Sequence, residues 1–367
     1  MAKIDELIRQ SVDAYGPAGD AIATKLARMG ARAAPKILEA LRGAHPRQDV
    51  RNLLRALTDM DPAGLAPLMI DVIQDSNAEL AAAAFDVLAR SGDTDALAAI
   101  QQSLMNNDNN ETRRSMAAAA LGQARQPATM GLLLKTVDDA EEQKQFWLAL
   151  SAIIALAKLG DHSKAELAVR LATTTKDVTL RLEAAQALAY LVAPGVFAAL
   201  QKMRRGRQAE MRLRAIDALF LLGAPESIVE LIAMIKDSNA TVSAMALARL
   251  NDLCGEETEE LTSQREFQRW WDINSSRFES GICHRLGSPL WVPDIIMLLH
   301  EPNMRERTVP ELEMISGKNF RSGSLVPIRS QKVLARAQAW WEQDGNKRFK
   351  RGRLYKYGVE QNLTDVF

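Results

Sequence analysis

The residue types that most often carry chemistry are few and scattered in this chain of 367 residues. Its histidines are His45, His162, His284 and His300, and its cysteines are Cys254 and Cys283. Zinc sites group their ligands as CxxC or HxxxH. Only Cys283-His284 with His300 approaches such a set, and it lacks both spacings. A lone cysteine more often packs as a small hydrophobe, so neither metal nor cofactor is expected. A P-loop, a GxGxxG after a strand, an HExxH and a GxSxG are all missing from the sequence. No convergent set of titratable side chains emerges, so no catalytic residue is assigned and the chain reads as a non-enzyme.

Binding chemistry is better represented. From Gly317 to Gly358 there are eleven Lys or Arg and only two acids, Glu342 and Asp344. The densest part holds Lys347, Arg348, Lys350, Arg351, Arg353 and Lys356, interleaved with Phe349, Tyr355 and Tyr357. Cations alternating with exposed rings can follow a phosphate backbone and stack on bases, which makes this segment the nucleic-acid alternative. The competing expectation is a solvated extension that pairs with acidic stretches such as Glu256 to Glu260. A second basic cluster, Arg204-Arg205-Gly206-Arg207, precedes a helical stretch. Tryptophan is concentrated late, with Trp270, Trp271, Trp291, Trp340 and Trp341 all beyond residue 255. Trp and Arg dominate the binding energy of protein interfaces, so the two Trp pairs with Arg348 and Phe349 are candidate partner contacts. Covering the apolar open end of a stack of helices is the simpler use of the indoles.

The elements that must position these groups follow from an internal repeat. Leu26, Leu57, Leu88, Leu121, Leu156, Leu188, Leu219 and Leu250 are separated by 31 to 35 residues. Around each, the residues at −4, −3 and +3 are apolar, with Ser91 the single break. Those positions share one face of an α-helix. Stop signals such as Gly92, Gly160, Gly223 and Gly255 follow the stripes, as does the pair Pro194-Gly195. A short apolar segment comes next. Capping clusters such as Asp75-Ser76-Asn77 and Asp237-Ser238-Asn239 then introduce the next stripe. Each unit is helix, turn, helix, and one hairpin cannot bury both its faces, so the units must stack. The expected fold is all-α: a right-handed α-α superhelix of about eight hairpins, by repeat count, over residues 1–255. Residues 256–367 form a Trp-rich helical C-terminal region that caps it. Within that region LTSQREFQRWWDINSSRFESGICHRLG, from Leu261, is partly duplicated before Gly358. Trp270-Trp271 matches Trp340-Trp341, Arg277-Phe278 matches Arg348-Phe349, Gly281 matches Gly352, and Gly287 matches Gly358. One degenerate hairpin is expected between the copies.

Arg114, Arg181 and Arg212 each stand seven residues before an anchor leucine. Aligned on the second helices they would form a basic ladder for an acidic partner surface. The alternative is that they bond to the Asp of the turn between helices.

Units such as RRSMAAAALGQARQP from Arg113 and RLRAIDALFLLGAP from Arg212 resemble bacterial HEAT repeats. The duplicated WW, RF, glycine pattern resembles a family of proteobacterial HEAT proteins whose genes accompany type VI secretion clusters. That resemblance implies a non-catalytic scaffold or adaptor whose partner is a secretion component. It equally allows an immunity protein that occludes a toxin effector. Two enzyme families share such repeats. Alkylpurine DNA glycosylases need a basic channel with an aromatic and acids, for which Trp147 with Asp138, Asp139, Glu141 and Glu142 is the nearest candidate. That acidic run would repel phosphates and suits a helix start better. No diagnostic site of phycobilin lyases is recognisable.

Composition sets the outer bounds. Lys plus Arg and Asp plus Glu number 46 each, so the whole chain is not a polyanion binder. At 47% hydrophobic and 25% charged it is not a disordered chain. Two cysteines fit a reducing compartment. No signal-peptide core or membrane-length apolar run is present, so a cytoplasmic protein without membrane contact is expected.

Overall fold

The computed structural model describes residues 2–12, 14–44, 49–320 and 331–367. Helices pair in sequence order. The first helices of the pairs are α1 (Ala2–Val12), α3 (Ala34–Arg42), α5 (Pro62–Met69), α7 (Thr94–Met105), α9 (Met130–Glu142), α11 (Ala165–Thr174), α13 (Val196–Arg204) and α15 (Pro225–Met234). The second helices are α2 (Gly16–Ala27), α4 (Arg51–Asp59), α6 (Ala78–Ser91), α8 (Glu111–Ala124), α10 (Phe146–Lys158), α12 (Val178–Leu188), α14 (Ala209–Leu222) and α16 (Ala240–Cys254). Every anchor leucine lies on a second helix and is at most 2% exposed, so the stripe is the core of an all-α superhelix. Ser91, the break in the pattern, turns its hydroxyl to Leu88 O at 2.8 Å. The capping clusters act as their chemistry requires. Asn77 accepts from the amides of Glu79 and Leu80, and Asn239 from those of Thr241 and Val242.

The C-terminal region continues the architecture in a modified form. It comprises α17 (Gln264–Asn274), a hairpin of β1 (His284–Arg285) and β2 (Ser288–Pro289), α18 (Val292–Leu298), α19 (Arg305–Ser316), α20 (Gln331–Trp340) and a hairpin of β3 (Leu354–Lys356) and β4 (Val359–Gln361). The expected degenerate hairpin is α18–α19. Strands, however, were not expected. The duplicated unit is also larger than the motif, because each copy is a helical pair followed by a helix and a β-hairpin. α17 packs on α15 and β1 on α16, just as α20 packs on α18 and β3 on α19.

Each β-hairpin clasps a helix end. Its two turn residues have positive φ, 53° and 74° at Leu286-Gly287 and 53° and 81° at Tyr357-Gly358, as a tight type I′ turn demands. Their amides point at carbonyls that the end of a helix leaves without partners. Leu286 N and Gly287 N donate to Asp252 O and Leu253 O at 3.0 and 2.8 Å, and Tyr357 N and Gly358 N to Met314 O and Ile315 O at 2.5 and 2.9 Å. Rings pack beneath both turns. Trp271 meets Phe278 at 5.2 Å and Phe278 meets His284 at 4.9 Å. Trp340 meets Phe349 at 5.4 Å and Phe349 meets Tyr355 at 4.5 Å.

The region covers the last hairpin through α17 and also runs back along the turns that follow the second helices. Arg307 reaches Asp252 on α16 at 2.5 Å, and the buried Lys356 ammonium donates to Ala189 O at 2.6 Å, just after α12. Val359 sits against Gly160 after α10, and the Arg125 guanidinium, just after α8, lies against Gly317. Here the structure adds what no cap at one end would give: with His284 N donating to Gly223 O at 2.7 Å just after α14, the region contacts five successive units.

The half-buried His162 and the buried His284 make the clasps sensitive to acid. His162 Nε2 donates to Gln361 Oε1 at 2.6 Å on β4, while its Nδ1 accepts the Val192 amide at 3.4 Å. His284 is fully buried beside Phe278. Burial lowers both pKa values; the Gln361 bond and Asp161 oppose the shift at His162, where Lys356 adds to it, and two backbone bonds, Glu279 and Glu226 oppose it at His284. Both are therefore neutral when folded, whereas the unfolded chain takes up protons near pH 6.5. Their contribution is complete above that pH and is lost as pH falls below it. Urea midpoints measured between pH 7.5 and 5.5 are expected to fall with pH, with a shallower slope in His162→Gln. An identical slope in that variant would show that His162 contributes nothing.

Candidate functional site

The residues singled out from sequence do not converge on one place. Arg114 is buried, not exposed, and donates to Leu104 O at 3.0 Å and Gln145 Oε1 at 3.1 Å. Arg181 donates to Thr175 O at 3.3 Å and Gln208 Oε1 at 3.0 Å. Arg212 grips Asp237 with two bonds of 2.7 and 2.8 Å and also donates to Gly206 O and Arg207 O. The basic ladder is thus turned inward. Its cations hold the carbonyls that end the first helix of each hairpin, and only Arg212 uses the turn Asp. Sequence reasoning missed a further rung, Arg305, which donates to Leu299 O at 2.5 Å and His300 O at 3.3 Å. It stands seven before Leu312, so extending the register to α19 would have found it.

The aromatic candidates are also largely structural. Trp271, Trp340, Phe349 and Tyr355 are buried, while Trp270 and Trp341 are half-buried, Trp341 against Trp291 at 5.2 Å. Tyr355 therefore offers no exposed stacking platform, Tyr357 is half-buried and stacks on Tyr190 at 6.3 Å, and Lys356 donates to the Ala189 carbonyl. Lys347, Arg348, Lys350, Arg351 and Arg353 do face solvent. Arg348 pairs with Asp344 at 3.3 Å, and Lys350 and Arg353 lie 3.9 and 3.7 Å from Glu360, not from Glu256 to Glu260. Elsewhere, Arg204 pairs with Glu230. Asp138 pairs with Lys164 and Glu141 with Arg170, so two of the four acids near Trp147 are committed to ion pairs. His45 lies outside the described residues. Cys283 and His284 are buried while His300 is exposed, and among the described residues no group of three His, Cys, Asp or Glu is placed to hold a metal.

What the fold does assemble is a cleft of about 670 Å³ between the ends of the second helices and the returning C-terminal region. One wall is Ala89, Arg90 and Gly92 at the end of α6, Gly122 to Arg125 at the end of α8, and Lys158 at the end of α10. The other is Pro310, Glu313 and Met314 of α19 with Gly317 to Asn319 and Tyr357. Gly122 sets the first wall, because a Cβ there would lie 2.6 Å from Ala155 Cα and force α8 and α10 apart. On the far side of Pro310 and Met314 lies a smaller cleft of about 240 Å³.

The two clefts differ in charge. In the smaller one two of the three arginines are matched, Arg249 lying 3.1 Å from Asp217 and Arg307 lying 2.5 Å from Asp252, while Arg214 is exposed to solvent. In the larger one Arg90 is held by Asp86 at 2.7 Å and by Thr58 O at 2.6 Å. Arg125 and Lys158 have no such partner among the described residues. Burial lowers both pKa values, and each cation has the other or a tyrosine as its electrostatic neighbour. The Lys158 ammonium lies 5.9 and 5.7 Å from the ring centres of Tyr190 and Tyr357, which stack on each other at 6.3 Å. Only Tyr357 among the sequence candidates lines this cleft.

Comparison with known proteins fits the repeat reading. Residues 34–122 and 65–151 match the HEAT repeats model, so this part of the chain consists of HEAT repeats. No curated protein matches in sequence. Among solved structures, YibA of Escherichia coli is 14% identical, with 82% of this chain and 99% of that one covered and a TM-score of 0.43. Human deoxyhypusine hydroxylase in complex with glycerol is 15% identical, covering 70% and 97%, with a TM-score of 0.32. An engineered protein is 14% identical, covering 91% and 88%, with a TM-score of 0.33. Among the described residues no helix is long and apolar enough to cross a membrane.

Proposed function

We propose that this protein is a non-catalytic scaffold that binds a protein partner along the ends of its second helices. The carrying observation is the 670 Å³ cleft between those ends and α19, which holds two half-buried cations with no side-chain partner among the described residues. Stacked hairpins offer extended surfaces that suit such binding. The resemblance of the duplicated C-terminal motif supports a component or effector of a type VI secretion system as the partner.

The test is a pull-down of the tagged protein from its native lysate after nuclease treatment, followed by mass spectrometry. One stoichiometric protein partner is expected, bound at least tenfold more weakly by Lys158→Glu. Its identity separates an adaptor, whose deletion impairs secretion, from an immunity protein, whose deletion is lethal while the toxin gene is present. Recovery of nucleic acid alone from an untreated sample, with affinity falling steeply between 50 and 300 mM salt, would replace this reading with one based on the exposed basic segment.

A further inference from the structure

We propose that Arg125 and Lys158 form a carboxylate-binding site that receives an acidic side chain of the partner protein. This rests on the scaffold reading and assigns the chemistry of the contact. Buried or half-buried cations are normally paired, because desolvation without a counter-charge is costly. The arginines described above as turned inward follow that rule, each holding a carbonyl, an amide oxygen or an aspartate. Arg125 and Lys158 are the exception. Neither side chain has a hydrogen bond or ion pair to a described residue, and burial together with the nearby Arg125 charge lowers the Lys158 pKa.

The chain maintains this exposed pairing opportunity at some conformational expense. Arg125 itself has a positive φ of 49°, which non-glycine residues rarely adopt, and this sets its side chain on the cleft wall after α8. Gly317 leaves room opposite it, since a Cβ there would collide with the Arg125 guanidinium and lie 2.5 Å from Tyr357 O. The stacked Tyr190 and Tyr357 rings fix the Lys158 ammonium from one side and leave it facing the cleft.

Charge around the site favours a local carboxylate over a strand of phosphates. The rims carry Asp61 and Glu313, and the neighbouring cleft carries Asp217 and Glu311. Phosphates at fixed spacing crossing this surface would meet acids on both sides, whereas a flexible acidic peptide can set one or two carboxylates on the half-buried cations and leave the rest in solvent. Guanidinium and ammonium together suit a carboxylate, the first by paired N–H bonds and the second as a point charge.

A fluorescein-labelled hexaglutamate peptide titrated into the full chain at 50 mM salt tests the site by fluorescence anisotropy. Affinity is expected to fall at least tenfold in Arg125→Leu and in Lys158→Met, and less than twofold in Arg351→Ala and Arg353→Ala. Lys158→Met keeps the stem against the tyrosines and removes a repelling charge, so its melting temperature is expected to stay level or rise. Equal losses in all four variants would mean nonspecific attraction and overturn the site. Binding of a single-stranded oligonucleotide but not hexaglutamate, lost in the same two variants, would overturn the carboxylate assignment in favour of phosphate. The native partner separates the two layers. If it binds Lys158→Met as tightly as the unaltered chain, the site falls and the scaffold stands. If the unaltered chain captures no protein, the scaffold reading falls, and the hexaglutamate titration still decides the site.

Discussion

Arg212→Ala is expected to lose about 3–5 kcal/mol of folding stability, the usual cost of removing one member of a buried ion pair. Both side chains of the Arg212–Asp237 pair are only 11% exposed. Burial pushes the Asp237 carboxyl upward, but the Arg212 bonds and the Asn239 amide outweigh it, so the group stays charged. Without Arg212 that charge would be stranded between α14 and α16, and Gly206 O and Arg207 O would lose their donor. Asp237→Ala is expected to cost a similar amount, and the double variant clearly less than the sum, because the two groups act as one. Urea denaturation of the four proteins measures this. Partner affinity of folded Arg212→Ala is expected to stay within twofold. A variant that keeps its stability and loses its partner would restore Arg212 as a contact residue.

The second large effect is expected at the first clasp. Gly287→Ala is expected to cost about 2–4 kcal/mol, combining a left-handed backbone position with overpacking against fixed atoms. Its φ is 74°, and a Cβ would lie 2.6 Å from Cys254 O, a backbone atom at the end of α16 that cannot step aside. Relief requires the Leu286 and Gly287 amides to leave Asp252 O and Leu253 O. Cysteine chemistry reports the opening. Cys254 and Cys283 are both buried, and burial pushes their thiols up to about 12 and about 11, so they react slowly. In Gly287→Ala, reaction with a thiol reagent at fixed pH is expected to accelerate at least tenfold. Gly131→Ala is the control, since no atom lies within 4 Å of the added methyl and its thiols are expected to stay slow. Unchanged thiol rates in Gly287→Ala would mean that the turn does not hold the clasp shut.

Periodicity made the solenoid legible. The anchor leucines, the flanking small residues and the Asx caps are local signals, because a helix face repeats every three to four residues and a cap acts within one turn. The duplicated motif and the degenerate hairpin between its copies were readable for the same reason. Their strands were not, since two- or three-residue hairpins depend on Leu286-Gly287 and Tyr357-Gly358, pairs without the usual Asn-Gly signature.

Other features were decided only by tertiary structure. An arginine seven before an anchor reads equally well as a surface ladder or as a tie to the preceding helix. The position of the first helix's carbonyls chooses the tie, and that position is fixed by packing. The return of the C-terminal region rests on contacts such as Lys356 with Ala189 and Gln361 with His162, which carry no periodic mark. The cleft has the same origin. Arg125, Lys158, Gly317 and Tyr357 lie far apart in sequence and meet only because orphan carbonyls at successive helix ends draw the C-terminal region back over the units that precede it.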